Sequence, residues 1–189
     1  MKLFDMVIYR QRFIPPHIVN HLLALTDSQP HPTTVGHGDG QSVSDYRSTG
    51  RHRMPPDTVS NVISTTYQIH DDILKPRYKT TATRIEEPQL LSYGQGGKYD
   101  RHNDSEDYVD NVLTRVVPRD WTVLWYLNDG YTGGQIELCN LNVTFSPKAG
   151  DMLIFPSYHE FEHAVHPVTS GTRKCLVIWI ETDRRIYER

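Results

Sequence analysis

The sequence predicts a mainly β domain, a sandwich or jelly roll buttressed by two helices. Three observations predict it. Short runs rich in β-branched and aromatic residues follow one another from about residue 80 onward, turn-forming residues separate them, and helical periodicity is confined to two segments upstream.

The first helical segment is His17–Leu25. It follows Pro15-Pro16 and places Ile18, Leu22, Leu23 and Leu25 on one face, with proline at the start, where its missing N–H costs nothing. The second is Asp57–Leu74, with Val59, Val62, Ile63, Tyr67, Ile69 and Ile73 on its apolar face and Pro76 helping to end it. Between them, roughly from Pro30 to Arg53, lies a polar stretch rich in Gly, Ser, Thr and His. It is too long for a simple connector and reads as a functional loop. The predicted strands are Gln89–Tyr93, Thr122–Leu127, Gln135–Leu138, Asn142–Phe145, Asp151–Phe155, His163–Val168 and Lys174–Glu181. Gly94-Gln-Gly-Gly, Asn128-Asp-Gly, Gly133-Gly134, Pro147-Lys-Ala-Gly150 and Ser170-Gly171 punctuate them. The last strand is apolar on both faces. Arg173, Cys175, Val177 and Trp179 point one way and Leu176, Ile178 and Ile180 the other, as expected for a strand covered on both sides. The expected organisation is one domain over 1–189, with helical support over 1–78 and a jelly-roll core over 79–185.

Composition bounds the function. The 189 residues are 37% hydrophobic and carry a net charge of -3, which suits a self-sufficient core and argues against a nucleic-acid partner. Nothing approaches the ~20 apolar residues of a membrane span, and Met1–Phe13 lacks an apolar signal core, so a soluble, cytoplasmic protein is expected. The two cysteines, Cys139 and Cys175, are too few for a disulfide framework.

The histidines carry the chemistry. A redox-active ferrous site needs two His and one carboxylate on one face, leaving positions open for a cosubstrate and O2. Such a site often reads as His-x-Asp plus a distant His, because the two-residue spacing on an extended chain puts both side chains on one side. Ten His and fifteen Asp give about 0.8 such tripeptides by chance. The chain has three: His37-Gly-Asp39, His70-Asp-Asp72 and His102-Asn-Asp104. His70 falls on the second helix, where i and i+2 do not share a face. His37 falls in the polar loop with no rigid element beneath it. His102 follows a strand and a Gly-rich turn, so it is the expected ligand pair with Asp104. The distal ligand is His159, His163 or His166. Arg173, ten residues past His163, reads in isolation as a surface residue beside Lys174; if buried, it needs an anion.

Five blocks in fixed order then resemble the prolyl 4-hydroxylase-like 2-oxoglutarate/iron(II) oxygenases. They are Tyr93-Gly-Gln-Gly-Gly-Lys-Tyr99-Asp-Arg-His102-Asn-Asp104, Thr122-Val-Leu-Trp-Tyr-Leu-Asn-Asp129, Gly133-Gly134 to Leu138, Phe145-Ser-Pro-Lys-Ala-Gly-Asp151-Met-Leu-Ile-Phe155, and His163-Ala-Val-His-Pro-Val-Thr-Ser-Gly-Thr-Arg173. More weakly, Arg47-Ser-Thr49 resembles the family's Arg-Thr-Ser segment. The resemblance implies a double-stranded β-helix (cupin-like) with the helices on the outer sheet face. It implies Fe(II) on His102, Asp104 and His163; 2-oxoglutarate on Arg173 with Tyr93, Tyr126 and Trp179 beside it; and Arg47 and Tyr99 near the substrate. O2 and L-ascorbate as reductant complete the implied cofactors. Asp104 separates the chain from related halogenases, which lack that carboxylate. Core packing is the plain alternative for each of the aromatics.

The implied reaction is hydroxylation of an unactivated C–H bond, with release of succinate and CO2, most simply on a prolyl residue of a peptide or protein. The competing readings are a free amino acid or other small metabolite as substrate, and a non-catalytic metal-binding jelly roll. Two segments, Pro30–Arg53 and Ser105–Pro118, are expected to be loops able to gate the site.

Overall fold

Proline opens both long helices of the computed structural model, which describes residues 2–33 and 45–186. In chain order the elements are β1 (Ile8–Arg10), α1 (Pro16–Ala24), β2 (His31–Pro32), β3 (Arg47–Ser48), β4 (Gly50–His52), α2 (Pro56–Ile69), α3 (Lys75–Tyr78), β5 (Ala82–Ile85) and β6 (Gln89–Tyr93). Then come β7 (Lys98–His102), β8 (Glu106–Val109), β9 (Val112–Arg115), β10 (Trp121–Tyr126), β11 (Thr132–Gly133), β12 (Ile136–Leu138), β13 (Val143–Phe145), β14 (Met152–Pro156), β15 (His163–Val165), β16 (Val168–Ser170) and β17 (Arg173–Thr182).

Two antiparallel sheets face each other. The larger runs β1-β14-β10-β17-β6-β4-β2, with β5 joining the far end of β17; the smaller runs β13-β12-β15-β7-β3. The large sheet is covered on both faces, as the apolar pattern of its central strand requires. In register, Thr122 opposes Trp179, Leu124 opposes Val177 and Tyr126 opposes Cys175, so these six share the inner face. The alternate residues Trp121, Val123, Trp125, Leu176, Ile178 and Ile180 form the outer face and are buried with Val19, Leu22, Val62 and Ile69 of the helices. Tyr78 of α3 packs its ring 4.7 Å from Trp121. This is a mainly antiparallel jelly roll with helices on its outer face. Among the described residues no helix is long and apolar enough to cross a membrane.

Besides strands β1, β5, β7 and β11, which the sequence did not announce, the structure departs from expectation at four segments. The second helix does not run straight to Leu74. It ends at Ile69, and His70–Leu74 form a π-helical turn whose buried His70 lies 3.3 Å from the Thr80 hydroxyl. The polar stretch 30–53 holds three short strands in its described part. β4 pairs with β6 and β3 with β7, so the N-terminal part of the chain extends both sheets as well as supplying helices. Their residues are polar, and backbone pairing at a sheet edge leaves no periodic trace. Ser105–Pro118 is a β-hairpin, β8–β9, turning on Asp110 and Asn111, both at positive φ, the two-residue turn that matches strand twist. The run 163–168 splits at Pro167: β15 stays in the small sheet and β16 pairs with β11. His37 and Asp39 lie outside the described residues.

Candidate functional site

Register builds the site. His102 ends β7 and His163 begins β15, and the two are directly opposed in the antiparallel ladder. Opposed residues project to the same face, and their rings lie 4.2 Å apart. The chain leaves β7 and presents Asp104 beside them. The Asp104 carboxylate oxygens sit 3.6 Å from His102 Nε2 and 3.7 Å from His163 Nε2. One donor atom from each residue falls within 4.8 Å of the other two, the one such His/Asp/Glu/Cys group among the described residues.

The hydrogen bonds set the donors up for a cation. His102 Nδ1 lies 2.8 Å from the Asp100 carbonyl and His163 Nδ1 lies 3.2 Å from the Phe161 carbonyl. A carbonyl only accepts, so both Nδ1 atoms carry a proton and both Nε2 atoms are turned toward Asp104. Burial, then the neighbouring His163, lowers the His102 pKa to about 3, keeping that ring neutral. Burial alone would raise the Asp104 pKa, but His163, His102 and Arg119 outweigh it and hold the carboxyl well below its usual range. A neutral His102 imidazole and an ionised Asp104 are protonation states a divalent ion needs. First-row ions hold such ligands at about 2.0–2.2 Å, which sets neighbouring donors about 3 Å apart, close to the separations seen. The residues therefore fit Fe(II).

The predicted distal candidates sort themselves. His166 points to the opposite face, where its exposed ring pairs with Glu137 at 2.8 Å. His159 pairs with Glu162 at 2.8 Å on the rim of the open cleft.

A narrow cavity runs from the three donors into the barrel, lined also by Tyr93, Thr122, Leu124, Cys175 and Arg173. Arg173 is 1% exposed, so its surface reading fails. Its guanidinium lies 4.6 Å over Tyr93 and 5.2 Å over Tyr126, and Nη1 donates to Cys175 Sγ at 3.2 Å. Arg173 Nε and the Tyr126 hydroxyl are buried with no hydrogen-bond partner among the described residues. A buried cation with aromatic faces but no carboxylate is costly unless an anion arrives. Arg173 thus shares with the donor triad a cavity in which its charge is left for an anion to meet.

Towards solvent the site opens into a cleft of about 590 Å³. Tyr99 stacks on His102 with 3.5 Å between ring centroids, and Arg47 lies 4.8 Å above Tyr99. Trp179 lines both cavities. The structure thus brings His102, Asp104, His163, Arg173, Tyr93, Trp179, Arg47 and Tyr99 around these two cavities, with Tyr126 against Arg173.

Several supporting residues escaped sequence reading. Thr122 donates to Asp104 Oδ2 at 2.6 Å and lies 2.9 Å from the Ser157 hydroxyl. Arg119 stacks 3.7 Å over Trp179, pairs with Glu86 at 2.6 Å and donates to the Asp104 carbonyl at 3.2 Å. Thr122 shares an inner face with Tyr126, and that alternation was the available signal. No sequence signal marked Arg119.

The sequence profile of the 2OG-Fe(II) oxygenase superfamily matches residues 88–181, about half the chain. A PKHD-type hydroxylase of Colwellia psychrerythraea is 35% identical over 91 residues, covering 46% of this chain and 39% of that protein. Human prolyl 3-hydroxylase 2 is 33% identical over 106 residues, covering 46% of this chain and 15% of that protein. The matched stretches thus span less than half the length of these relatives. Among solved structures, a Trichoplax adhaerens prolyl hydroxylase bound to a peptide fragment of a hypoxia-inducible factor superposes with TM-score 0.72 at 21% identity, over 94% of this chain and 84% of that one. A Pseudomonas putida prolyl-4-hydroxylase gives 0.68 at 20%, over 93% and 92%. At such identities these two likenesses speak for the fold.

Proposed function

The chain belongs to the 2OG-Fe(II) oxygenase superfamily, and from that membership we propose that it is a 2-oxoglutarate-dependent dioxygenase hydroxylating a prolyl residue of a peptide or protein. One observation carries the reading: a buried arginine with no carboxylate partner among the described residues shares a narrow cavity with a His-Asp-His triad. A structural metal site has no use for that arginine.

In this reading His102, Asp104 and His163 hold the iron and leave one flank free. When bound, the iron couples reductive activation of O2 to oxidative decarboxylation of 2-oxoglutarate, giving succinate, CO2 and a hydroxylated C–H bond. The protein's part is placement. Arg173 takes the far carboxylate of 2-oxoglutarate in a charge-assisted pair. The Tyr126 hydroxyl, with no other partner, donates to the same group. Tyr93 and the apolar side chains Leu124 and Val177 keep water out of that cavity. Thr122 holds one oxygen of Asp104, fixing which oxygen faces the metal.

The open cleft over Tyr99 favours a peptide over a fully enclosed metabolite. Tyr99, stacked on His102 with Arg47 above it, forms one wall of the cleft beside the donor triad. Trp179, held by Arg119, forms another wall of the cleft.

Anaerobic Fe(II) titration with and without 2-oxoglutarate tests the first half. A metal-to-ligand charge-transfer band at about 500 nm is expected only when both are present. Succinate release across proline-containing peptides and free amino acids tests the second. A protein that binds iron but gives no band with 2-oxoglutarate is a metal-binding jelly roll, and the oxygenase reading fails.

A further inference from the structure

The arginines around the cleft are paired with carboxylates in a regular way. Arg51 meets Glu87 at 2.8 Å, Arg119 meets Glu86 at 2.6 Å, Arg101 meets Glu162 at 2.5 Å and Arg185 meets Glu106 at 2.6 Å. Arg115, at the foot of the β8–β9 hairpin, meets Asp120 at 3.1 Å. Arg47 breaks the pattern. Its Nη2 donates to the neutral amide oxygen of Gln89 at 3.1 Å, and its Nε is buried with no partner. No carboxylate among the described residues is in ion-pair reach of it.

The chain shows how this arises. In Glu86-Glu87-Pro88-Gln89, carboxylates at 86 and 87 neutralise Arg119 and Arg51, but position 89 offers an amide where Arg47 needs a charge. The guanidinium stays half-buried, held in place by Gln89 and by the Tyr99 face 4.8 Å below it, with its charge unspent. Arg47 lines both the open cleft and the narrow cavity of the donor triad, so that charge faces the space beside the triad where the target ring would lie.

Resting on the prolyl oxygenase reading above, we propose that Arg47 reads a carboxylate on the substrate next to the ring being hydroxylated. The carboxylate is either the side chain of an acidic residue adjoining the target proline in a peptide or the α-carboxylate of a free amino acid. A planar fork of donors beside the donor triad can take such a carboxylate in a bidentate pair while the ring lies toward the metal ligands.

The test uses matched probes: peptides with Glu directly before or after proline, their Gln counterparts, free L-proline and L-prolinamide. Succinate release and product mass are followed for wild type, Arg47→Gln and Gln89→Glu. Wild type is expected to prefer the carboxylate member of the accepted pair by about tenfold or more in kcat/KM, and the pair that responds identifies the source. Arg47→Gln should bring that ratio to about one. Gln89→Glu should do the same with the guanidinium still present, because an internal carboxylate then occupies it. Equal turnover of acid and amide by wild type overturns the inference and leaves the oxygenase reading standing. So does a charge-transfer band with none of the probes accepted. An Arg47→Gln variant that loses both members of a pair equally makes Arg47 a structural residue and also overturns it. No band and no succinate overturns both readings.

Discussion

Replacing Arg173 by methionine should push stability and cosubstrate affinity in opposite directions. Arg173 is 1% exposed and meets no carboxylate among the described residues; the Tyr93 and Tyr126 faces, the Cys175 thiol and Tyr131 surround it. Desolvating a guanidinium costs several kcal/mol in practice, while each aromatic face returns about 0.5–2 kcal/mol. Methionine fills much of the same volume without the charge, so the ligand-free variant should be more stable by about 1–3 kcal/mol. For a chain of this size that raises the melting temperature by roughly 2–10 °C. With 2-oxoglutarate the sign reverses. Leaving its far carboxylate buried without a cation costs about 3–5 kcal/mol, so the KM for 2-oxoglutarate should rise by roughly 10² or more. Melting curves with Mn(II), with and without 2-oxoglutarate, read both effects: wild type gains stability from the ligand and the variant does not. A ligand-free variant that melts well below wild type, with an unchanged KM, would make Arg173 a structural residue and refute its part in holding the anion.

Three further outcomes follow from the same contacts. His163→Ala should lose stoichiometric iron and with it turnover, read by metal analysis of the purified protein, since one of three donors is gone. Thr122→Val removes the 2.6 Å hydrogen bond that orients Asp104 and should weaken metal affinity by about 10-fold or more in a competition titration, with the fold intact by circular dichroism. Asp120→Asn should destabilise the domain by about 2–4 kcal/mol in urea unfolding, because the fully buried carboxylate accepts from Tyr158, Thr182 and Arg115 at once and the amide cannot.

What the sequence showed depended on which force placed each element. Strands that bury side chains announced themselves: β6, β10, β14 and β17 lie within a residue or two of the runs of apolar and β-branched residues. Strands held by backbone pairing did not. β7 reads Lys-Tyr-Asp-Arg-His, and β3 and β4 read Arg-Ser and Gly-Arg-His, all polar, because one side of each faces a cleft or solvent. The site was legible for a different reason. Spacing alone could not choose among three His-x-Asp tripeptides or three distal histidines; the strand and Gly-rich turn before His102 chose the first, and the order of linked blocks chose the second. Arg119, Glu86 and Thr122 stayed hidden because their roles come from residues far apart in sequence meeting in space. A lone Arg or Thr carries no local pattern that says what it will touch.

Metal site and sheet register are the same specification in this protein. His102 and His163 face each other only because β7 and β15 pair at that one position; a slip by one residue would turn one imidazole to the other face of the small sheet. A register shift between His163 and Val165 lets the same pair of strands also set Tyr99 opposite Val165 on the inner side. Asp104 belongs to neither sheet. It is tied to the large sheet by Thr122 and through its backbone N–H to the Ser157 carbonyl, so an ion held by all three donors joins the two sheets at the open end of the barrel. Metal binding should therefore strengthen the fold and not merely decorate it, and loosening the sheets should cost iron before it costs the helices that pack on the far side.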